Sequence, residues 1–175
     1  LAAVIEANLD LVTALGPSRG FIHGDCKINN VLFHDDKDQA LAVIDLDTVG
    51  PGHWAWDFGD LVRSVAFSHG SVELELFQAC VKGFSCGRGM FGQTAQITAQ
   101  QMSIAPAYIA FTLGVRFLID HLRGDEYFRV SQRGENLHRA AEQFTLLQQF
   151  NGLRAQLFEC ALAQLSEHVK SGQLS

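Results

Sequence analysis

Two short apolar runs around a polar loop constrain the fold of this chain most strongly. Residues 31–33 and 41–44 are apolar with β-branched members, and the loop between them is mostly polar. This pattern is typical of a β-hairpin. Antiparallel pairing about the middle of the loop makes paired positions sum to about 75, which places Asn30 opposite Asp45 or its neighbour. The hairpin therefore brings a carboxamide and a carboxylate to one point.

A second carboxylate, Asp25, lies five residues before Asn30. Phosphoryl transfer needs a carboxylate that orients and deprotonates the attacking hydroxyl, and oxygen ligands that hold magnesium against the nucleotide phosphates. Asp25 suits the first role, while Asn30 and Asp45 carry the oxygen ligands that Mg²⁺ prefers. Each residue alone has an ordinary structural use. Together, in this order and spacing, they indicate a metal-dependent phosphoryl-transfer site.

The His-Gly-Asp segment at 23–25 with Asn30, followed by Ile-Asp at 44–45, resembles the signature of aminoglycoside phosphotransferases, choline kinases and their relatives, which are similar to protein kinases. Further segments resemble one subgroup, the N-acetylhexosamine 1-kinases: residues 25–33, 43–49, 57–60, 114–118, 124–128 and 136–140. The resemblance implies a kinase with Mg²⁺ as cofactor and ATP as co-substrate. The implied acceptor is a small molecule, first of all the anomeric hydroxyl of an N-acetylhexosamine or related sugar.

The resemblance also implies roles for single residues. Asp25 becomes the catalytic base, in contact with the acceptor, and Asn30 and Asp45 become the magnesium ligands. His23 and Asp57 match positions that support the catalytic loop, the histidine through a hydrogen bond to the backbone.

Two charged residues beside these sites have two interpretations each. Asp47 either reaches a metal-bound water or caps the turn after the second strand of the hairpin. Lys27 either stabilises the charge of the transferring phosphate or is an ordinary solvated lysine.

Arg116 lies in an otherwise apolar run, residues 108–119. An unpaired guanidinium is costly to bury in such a run. Arg116 therefore either contacts the acceptor, as the resemblance implies, or forms a salt bridge with Asp120 or Asp60.

The expected fold is one α+β domain, residues 1–175, mainly α, equivalent to the carboxy-terminal lobe of a protein-kinase-like fold. Kinases of this type carry a Gly-rich loop and a strand lysine on an amino-terminal lobe before the catalytic loop. Only 22 residues precede His23, and the Gly-rich stretch at 83–89 lacks the Walker spacing and is interpreted as a loop. We therefore expect the amino-terminal lobe to be absent, as in a fragment, a truncated gene or a proteolysed product. The chain alone is then expected to be inactive and to self-associate through exposed apolar surface.

Apolar periodicity predicts helices over most of the remaining chain: residues 1–15, 57–67, 72–84, 101–122, 135–150 and 153–170. Pro106 is expected near the beginning of the fourth helix or at a kink in it, and the last two helices are expected to meet near Asn151 and Gly152. One face of the first helix is expected to hold Ala2, Ile5, Leu9 and Val12.

Composition argues against several functional classes. The chain has 13 basic and 19 acidic residues, a net charge of −6, and no basic cluster for a nucleic-acid partner. No apolar run is expected to span a membrane. Four cysteines without CxxC spacing suit a reducing cytoplasm, and the carboxylate beside Cys26 is expected to disfavour its thiolate.

Other acceptors and another functional class remain open. An aminoglycoside, choline or methylthioribose could replace the sugar, and a pseudokinase module that binds nucleotide or a protein could replace the enzyme. A cationic acceptor needs an acidic or aromatic pocket, so Arg116 favours a neutral sugar. The intact trio of Asp25, Asn30 and Asp45 favours the enzyme.

Overall fold

The computed structural model describes residues 1–17, 20–68, 70–88 and 93–170. Its helices are α1 (Ala2–Glu6), α2 (Leu11–Ala14), α3 (Trp54–Val65), α4 (Leu74–Arg88), α5 (Ala95–Arg123) and α6 (Glu135–Lys170). Its strands are β1 (Phe21–Ile22), β2 (Val31–Phe33), β3 (Ala40–Val43), β4 (Gly50–Pro51), β5 (Phe67–Ser68) and β6 (Ser71–Val72), with 3₁₀ turns at Ile28–Asn30 and Leu46–Thr48. The strands form three antiparallel pairs, β1 with β4, β2 with β3 and β5 with β6. The fold is mostly helical, which agrees with the predicted α+β class.

Strands β2 and β3 form the predicted hairpin. Val31 pairs with Val43, one position from the predicted register, and an irregularity follows Leu32. The amide of Ile44 donates to the carbonyl oxygen of Asn30 at 2.9 Å. Asn30 therefore lies opposite the neighbour of Asp45, as the pattern predicted.

The hydrophobic core lies between α3, α4, α5 and α6. Helices α5 and α6 pack along each other, with lengths of about 44 and about 54 Å at 1.5 Å per residue. Helix α3 approaches α5 so closely that a Cβ at Gly59 would collide with the carbonyl oxygen of Ala105. Large side chains from all four helices are fully buried, among them Phe58, Phe77, Met102, Leu147 and Phe150.

Helix α5 is long and apolar enough to cross a membrane by length and composition alone. The expectation that no segment would pass this test was wrong. Half of its most apolar window is buried inside the protein, where it packs against α3 and α6. Core helices commonly have such a composition, so this feature is weak evidence for a membrane span.

The predicted single helix over residues 1–15 is wrong. The Asn8 carboxamide donates to the carbonyl oxygen of Val4 at 2.8 Å, and the backbone switches to tighter bonds between residues three apart, such as Leu11 to Asn8. Asparagine disfavours helix interiors because its side chain competes for backbone groups in this way. The predicted apolar face is also wrong, since Leu9 and Val12 are more than half exposed whereas Leu11 is buried.

Three other helices begin away from the predicted positions. Helix α3 begins at Trp54, three residues early, because the His53 side chain accepts a hydrogen bond from the Ala55 amide and caps the helix. Helix α5 begins at Ala95, capped by Thr94 and six residues before the predicted start, so Pro106 lies well inside it rather than near its beginning. Helix α4 begins two residues later than predicted, at Leu74.

Two predicted interruptions are not formed. The Gly-rich stretch expected to be a loop is helical in α4 through Arg88, and its last residue, Gly89, lies outside the described residues. Helix α6 continues without a break through Asn151 and Gly152. In both places the packed helix has overridden the low helical propensity of glycine.

Candidate active site

Asp57, in the first turn of α3, holds the loop that carries Asp25. Its carboxylate accepts hydrogen bonds from the backbone amides of His23 and Gly24, at 2.8 and 2.9 Å. His23 Nε2 lies 3.0 Å from the carbonyl oxygen of Ile44, which ties the loop to the end of the hairpin. Gly24 has φ +83°, and a Cβ there would lie 2.7 Å from the Thr48 carbonyl oxygen, so this turn requires glycine.

Asp25, Asn30 and Asp45 converge in the structure. The Asn30 Nδ2 donates to the backbone carbonyl of Asp25 at 2.8 Å and to its carboxylate at 2.9 Å. The same nitrogen lies 3.4 Å from the Asp45 carboxylate. Asp45 has φ +66°, an uncommon conformation for a residue with a Cβ that is concentrated at functional sites. The three residues chosen from the sequence therefore form one cluster.

The cluster has free oxygens that fit magnesium. Since Nδ2 makes the hydrogen bonds of Asn30, its carboxamide oxygen accepts none from the described residues. The Asp45 carboxylate is exposed. Among the described residues, no three His, Cys, Asp or Glu side chains form a metal site by themselves. Because Mg²⁺ in kinases is held by one or two protein ligands together with nucleotide phosphates and waters, this donor set fits a metal that arrives with the nucleotide.

Electrostatics distinguish the two carboxylates of the cluster. The neighbouring carboxyl of Asp47, through a hydrogen bond and its charge, raises the pKa of Asp45 above its ordinary value. A cation bound at Asp45 would relieve this repulsion. Burial raises the pKa of Asp25, but hydrogen bonds from Lys27 and Asn30 outweigh it and hold that pKa below its usual range. Asp25 is therefore ionised at neutral pH and can accept a hydrogen bond from a hydroxyl.

The residues next to the cluster are placed as follows. Lys27 Nζ lies 2.6 Å from the Asp25 carboxylate and is about one-third exposed, so it is neither free in solvent nor distant from the reacting groups. Asp47 faces Asp45, and among the described residues no backbone amide donates to its carboxylate. Burial, then the charges of Asp57 and Asp60, raises the pKa of Cys26 to about 12, so its thiolate is disfavoured as predicted.

A cleft of about 560 Å³ opens from Asp25 and is walled by the loop that carries Asp25, by α5, by the loop after α5 and by α6. Its charged lining contains four basic side chains, Lys27, Arg63, Arg116 and Arg139, and two acidic ones, Asp25 and Glu142. An adjoining cavity of about 350 Å³ shares part of this lining and extends to the stacked rings of Trp56 and Tyr108. The whole chain has a net charge of −6, so the excess of basic over acidic side chains in the cleft lining is a local feature.

Arg116 is exposed and lies in the lining of this cleft. Its guanidinium carbon lies 5.3 Å from the ring centroid of Phe128 and 5.9 Å from that of Tyr127. Both distances are within the range of cation–π attraction. Two rings from the loop after α5 therefore hold the guanidinium beside the cleft.

The two salt bridges considered for Arg116 are not formed. Asp60 pairs instead with Arg63 at 2.7 Å, and Asp120 accepts hydrogen bonds from the backbone amides of residues 126–128 and from Asn136. Arg116 therefore has no carboxylate partner among the described residues, which leaves its charge available to a ligand.

Sequence reasoning missed several cleft residues. Arg63 on α3 is paired with Asp60 three residues before it, a helical spacing that could have been noticed. Arg139 and Gln143 share a face of α6 at i and i+4, but nothing local shows that this face meets the catalytic loop. Such residues become visible only when α6 is packed on α5.

A comparison with known families agrees with the first half of this site. The model of the phosphotransferase enzyme family matches residues 1–79, which contain the Asp25 loop, the hairpin and α3. The match supports the resemblance to aminoglycoside phosphotransferases and choline kinases, a kinase-like fold and phosphate transfer to small molecules. Kinases of this family generally use ATP and Mg²⁺. The cleft wall formed by α5 and α6 lies beyond the match. Over residues 1–79 this chain is similar to the phosphotransferase enzyme family.

Proposed function

We propose that this chain is the catalytic and acceptor-binding lobe of an ATP- and Mg²⁺-dependent kinase. Its acceptor is the anomeric hydroxyl of an N-acetylhexosamine or a related sugar. One observation carries the proposal: Asn30 Nδ2 lies 2.9 Å from the Asp25 carboxylate and 3.4 Å from that of Asp45, and Asp25 lines a cleft of about 560 Å³.

In this proposal, Asp25 accepts a hydrogen bond from the acceptor hydroxyl and takes its proton as the new O–P bond forms. The bond between the γ-phosphorus of ATP and the oxygen that bridges it to the β-phosphate breaks, and ADP leaves. Asn30 and Asp45 hold the magnesium ion, which, when bound, neutralises charge on the nucleotide phosphates. Asp57 and His23 keep the loop in place through the backbone bonds described above. Lys27 pairs with the Asp25 carboxylate and lies where its ammonium group can stabilise negative charge on the phosphoryl group in transfer.

The charge of the cleft favours a neutral acceptor. Four basic side chains and two acidic ones line it, and Arg116 has no carboxylate partner within the described ranges. Lys27, Arg63 and Arg139 are each paired with a carboxylate, so a cationic aminoglycoside or choline would meet the charge of Arg116 there. A hydroxyl-rich sugar can instead accept hydrogen bonds from Arg116, whose position over Tyr127 and Phe128 holds it at the cleft.

Exposed apolar side chains on the hairpin favour a second lobe, one that binds nucleotide and packs on this surface. Apolar side chains on and beside β2 and β3 are 40–60% exposed: Leu32, Phe33, Leu41, Val43 and Ile44. We propose that residues 1–175 form one domain, and that a lobe with the phosphate-covering loop covers this surface in a cytoplasmic enzyme.

The alternative functions predict different results in an assay of phosphate transfer. A kinase for aminoglycosides, choline or methylthioribose keeps the same catalytic cluster and changes the cleft occupant. A pseudokinase module binds nucleotide without transfer, which leaves the convergence of Asp25, Asn30 and Asp45 without a use.

An ATP-consumption assay on the intact gene product tests the proposal. The acceptor panel contains N-acetylglucosamine, N-acetylgalactosamine, plain hexoses, choline, methylthioribose and an aminoglycoside, each with and without a magnesium chelator. We expect turnover with the acetylated hexosamines alone, abolished by the chelator. Turnover only with choline, methylthioribose or the aminoglycoside would show that this compound, and not an acetylated hexosamine, is the acceptor. Nucleotide binding without any turnover would favour the pseudokinase module.

A further inference from the structure

Arg139, on α6, lines the cleft, and its guanidinium already bonds to other parts of the protein. Its Nη1 donates to the side-chain oxygen of Asn136 at 3.0 Å and to the backbone carbonyl oxygen of Arg129 at 3.1 Å. Its Nη2 pairs with the carboxylate of Glu135. A guanidinium carries five N–H donors in one rigid plane, and here they join α6 to the loop that follows α5.

Two phenyl rings in contact connect Arg139 to Arg116. The guanidinium carbon of Arg139 lies 5.8 Å from the ring centroid of Phe117. That ring contacts Phe128, with centroids 4.6 Å apart and planes tilted by 53°. The guanidinium carbon of Arg116 lies 5.3 Å from the centroid of Phe128. These distances are within the range of cation–π and ring–ring attraction, so four side chains form one series of contacts between α6 and Arg116.

The backbone around Phe128 is held on both sides. Its amide donates to the Asp120 carboxylate at 2.9 Å, and the carbonyl oxygen of the next residue, Arg129, accepts from Arg139. Asn136 is fully buried and joins the two bonds, because its side chain donates to Asp120 at 2.8 Å and accepts from Arg139. A buried acceptor that loses its donor is costly. The position of Phe128 therefore depends on Arg139.

Arg116 itself has few restraints. Its side chain is exposed and forms no hydrogen bond or ion pair within the described part of the chain. The rings of Tyr127 and Phe128 are what hold its guanidinium beside the cleft. A long arginine side chain loses considerable rotamer freedom when a ligand orders it, so an arginine that is ordered in advance binds a ligand at a smaller entropic cost.

We infer that Arg139 is a positioning residue of the acceptor site. It acts on the acceptor through Phe117 and Phe128, by holding the Arg116 guanidinium at the cleft. This inference rests on the proposed function, in which Arg116 donates hydrogen bonds to the acceptor.

The order of the Arg116 side chain tests the inference without acceptor or nucleotide. The {¹H}–¹⁵N NOE of its Nε–H group reports motion on the picosecond to nanosecond timescale. It is measured on the full chain for the wild type, Arg139→Met and Phe117→Leu. We expect the wild-type NOE to lie well above that of Arg133, an exposed arginine without a side-chain partner among the described residues. In both variants the NOE of Arg116 should fall to the Arg133 value.

Acceptor affinity tests the consequence of this order. Dissociation constants for N-acetylglucosamine are measured by NMR titration for the wild type, Arg116→Met, Arg139→Met and the double variant. We expect Arg139→Met to weaken binding by roughly 2- to 10-fold, the cost of ordering one long side chain. The double variant should bind no more weakly than Arg116→Met, because Arg139 then has no guanidinium to position.

Arg154→Met is the matched control. It removes an arginine from the same helix, about 22 Å along α6 from residue 139 at 1.5 Å per residue, and Arg154 does not line the described cleft. This variant should retain both the NOE of Arg116 and the affinity of the wild type.

Two results would overturn the inference. One is an Arg116 as ordered in Arg139→Met as in the wild type, or as ordered in Phe117→Leu, which decides the matter if circular dichroism shows Arg139→Met to be unfolded. The other is a double variant whose loss of affinity is the product of the two single losses, as a direct contact of Arg139 with the acceptor would give. If the wild type does not bind N-acetylglucosamine, the proposed acceptor fails, and the order of Arg116 alone decides the inference.

Discussion

Asp120 organises the loop that holds Arg116 in place. Its carboxylate is 4% exposed and accepts hydrogen bonds from the backbone amides of Glu126, Tyr127 and Phe128, at 3.1, 2.8 and 2.9 Å. Burial raises the pKa of Asp120, but these hydrogen bonds outweigh it and hold the pKa below its ordinary value of 3.8. The ionised carboxylate is therefore the form that stabilises the folded loop.

This arrangement predicts a dependence of stability on pH. Folding lowers the pKa of Asp120, so the ionised carboxylate stabilises the folded protein fully at pH values well above the ordinary pKa of 3.8. This stabilisation is lost as the pH falls through the lower pKa that Asp120 has in the folded protein. Asp120→Asn should lower the free energy of unfolding at pH 7 and make its fall on acidification shallower. Urea unfolding between pH 7 and pH 3 measures both effects.

A surface variant provides the control for this prediction. Asp36→Asn, in the exposed hairpin loop, should leave the curve of stability against pH close to that of the wild type. An Asp120→Asn curve parallel to the wild-type curve at acid pH would contradict the role of the ionised carboxylate.

The candidate residues divide by how local their placement is. Asn30 and Asp45 could be predicted because the register expected for one hairpin brings them together, and Asp25 because it lies five residues before Asn30 in a recognisable motif. Gln143, Tyr127 and the other residues on that wall of the cleft could not, because they meet Asp25 only through the packing of α5 on α6. For Arg116, the sequence left two interpretations open, and the choice depended on the partners that Asp60 and Asp120 find elsewhere.

At the scale of elements, α6 shows tertiary packing deciding a structure that local sequence left open. Asn151 and Gly152 suggested a break, yet α6 continues because apolar side chains on both sides, such as Phe150 and Leu157, are fully buried. Burying one such side chain contributes about 1.5–3 kcal/mol, more than the roughly 1 kcal/mol that a helical glycine costs. The apolar periodicity on both sides of Asn151 and Gly152 therefore predicted the course of α6 better than the low helical propensity of these two residues did.

The continuity of α6 predicts that Gly152→Ala stabilises the protein. A Cβ at Gly152 would have no neighbour within 4 Å, so alanine should increase the free energy of unfolding by about 0.5–1 kcal/mol. Chemical denaturation of the purified chain measures the change.

Gly134, just before α6, is the matched control. It has φ +89° and equally open surroundings, so Gly134→Ala should lower stability through backbone strain alone. If Gly152→Ala also lowers stability, residue 152 has a conformation that glycine alone tolerates, and the helix is broken there.

The amino-terminal elements were predicted less well for a physical reason. Residues 1–15 have helical periodicity, but Asn8 bonds to the backbone of Val4 and divides the segment into α1 and α2. The start of α3 was missed because His53 is an unusual cap. Side-chain bonds to the backbone thus set these boundaries, and they follow weakly from residue type.

At the scale of the whole molecule, exposed apolar surface surrounds the hairpin. Phe33 and Leu41 are 51% and 60% exposed, and contiguous surface of this kind marks an interaction site. We therefore predict that the purified chain self-associates as its concentration rises. Multi-angle light scattering over a concentration series should show the average mass increasing.

Variants on this surface test its location. Phe33→Lys combined with Leu41→Lys should restore a monomer, because burying two ammonium groups in an apolar contact is costly. Leu122→Lys, at the far end of α5 and 76% exposed in the wild type, should not. A sharp monomer peak of the wild-type chain at high concentration would remove the prediction.

We propose that Asp25, Asn30 and Asp45 form a phosphoryl-transfer centre with Asp25 as its base. The most direct test is the rate of phosphate transfer from ATP by the intact gene product, measured for the wild type, Asp25→Asn and Asp38→Asn with the acceptor found in the panel. Asp38 lies in the exposed hairpin loop and controls for the loss of a surface carboxylate.

We predict that Asp25→Asn retains nucleotide affinity and loses about 10²–10⁴-fold in kcat, because it removes the proton acceptor, while Asp38→Asn transfers phosphate at the wild-type rate. Transfer by Asp25→Asn at the wild-type rate would contradict the account.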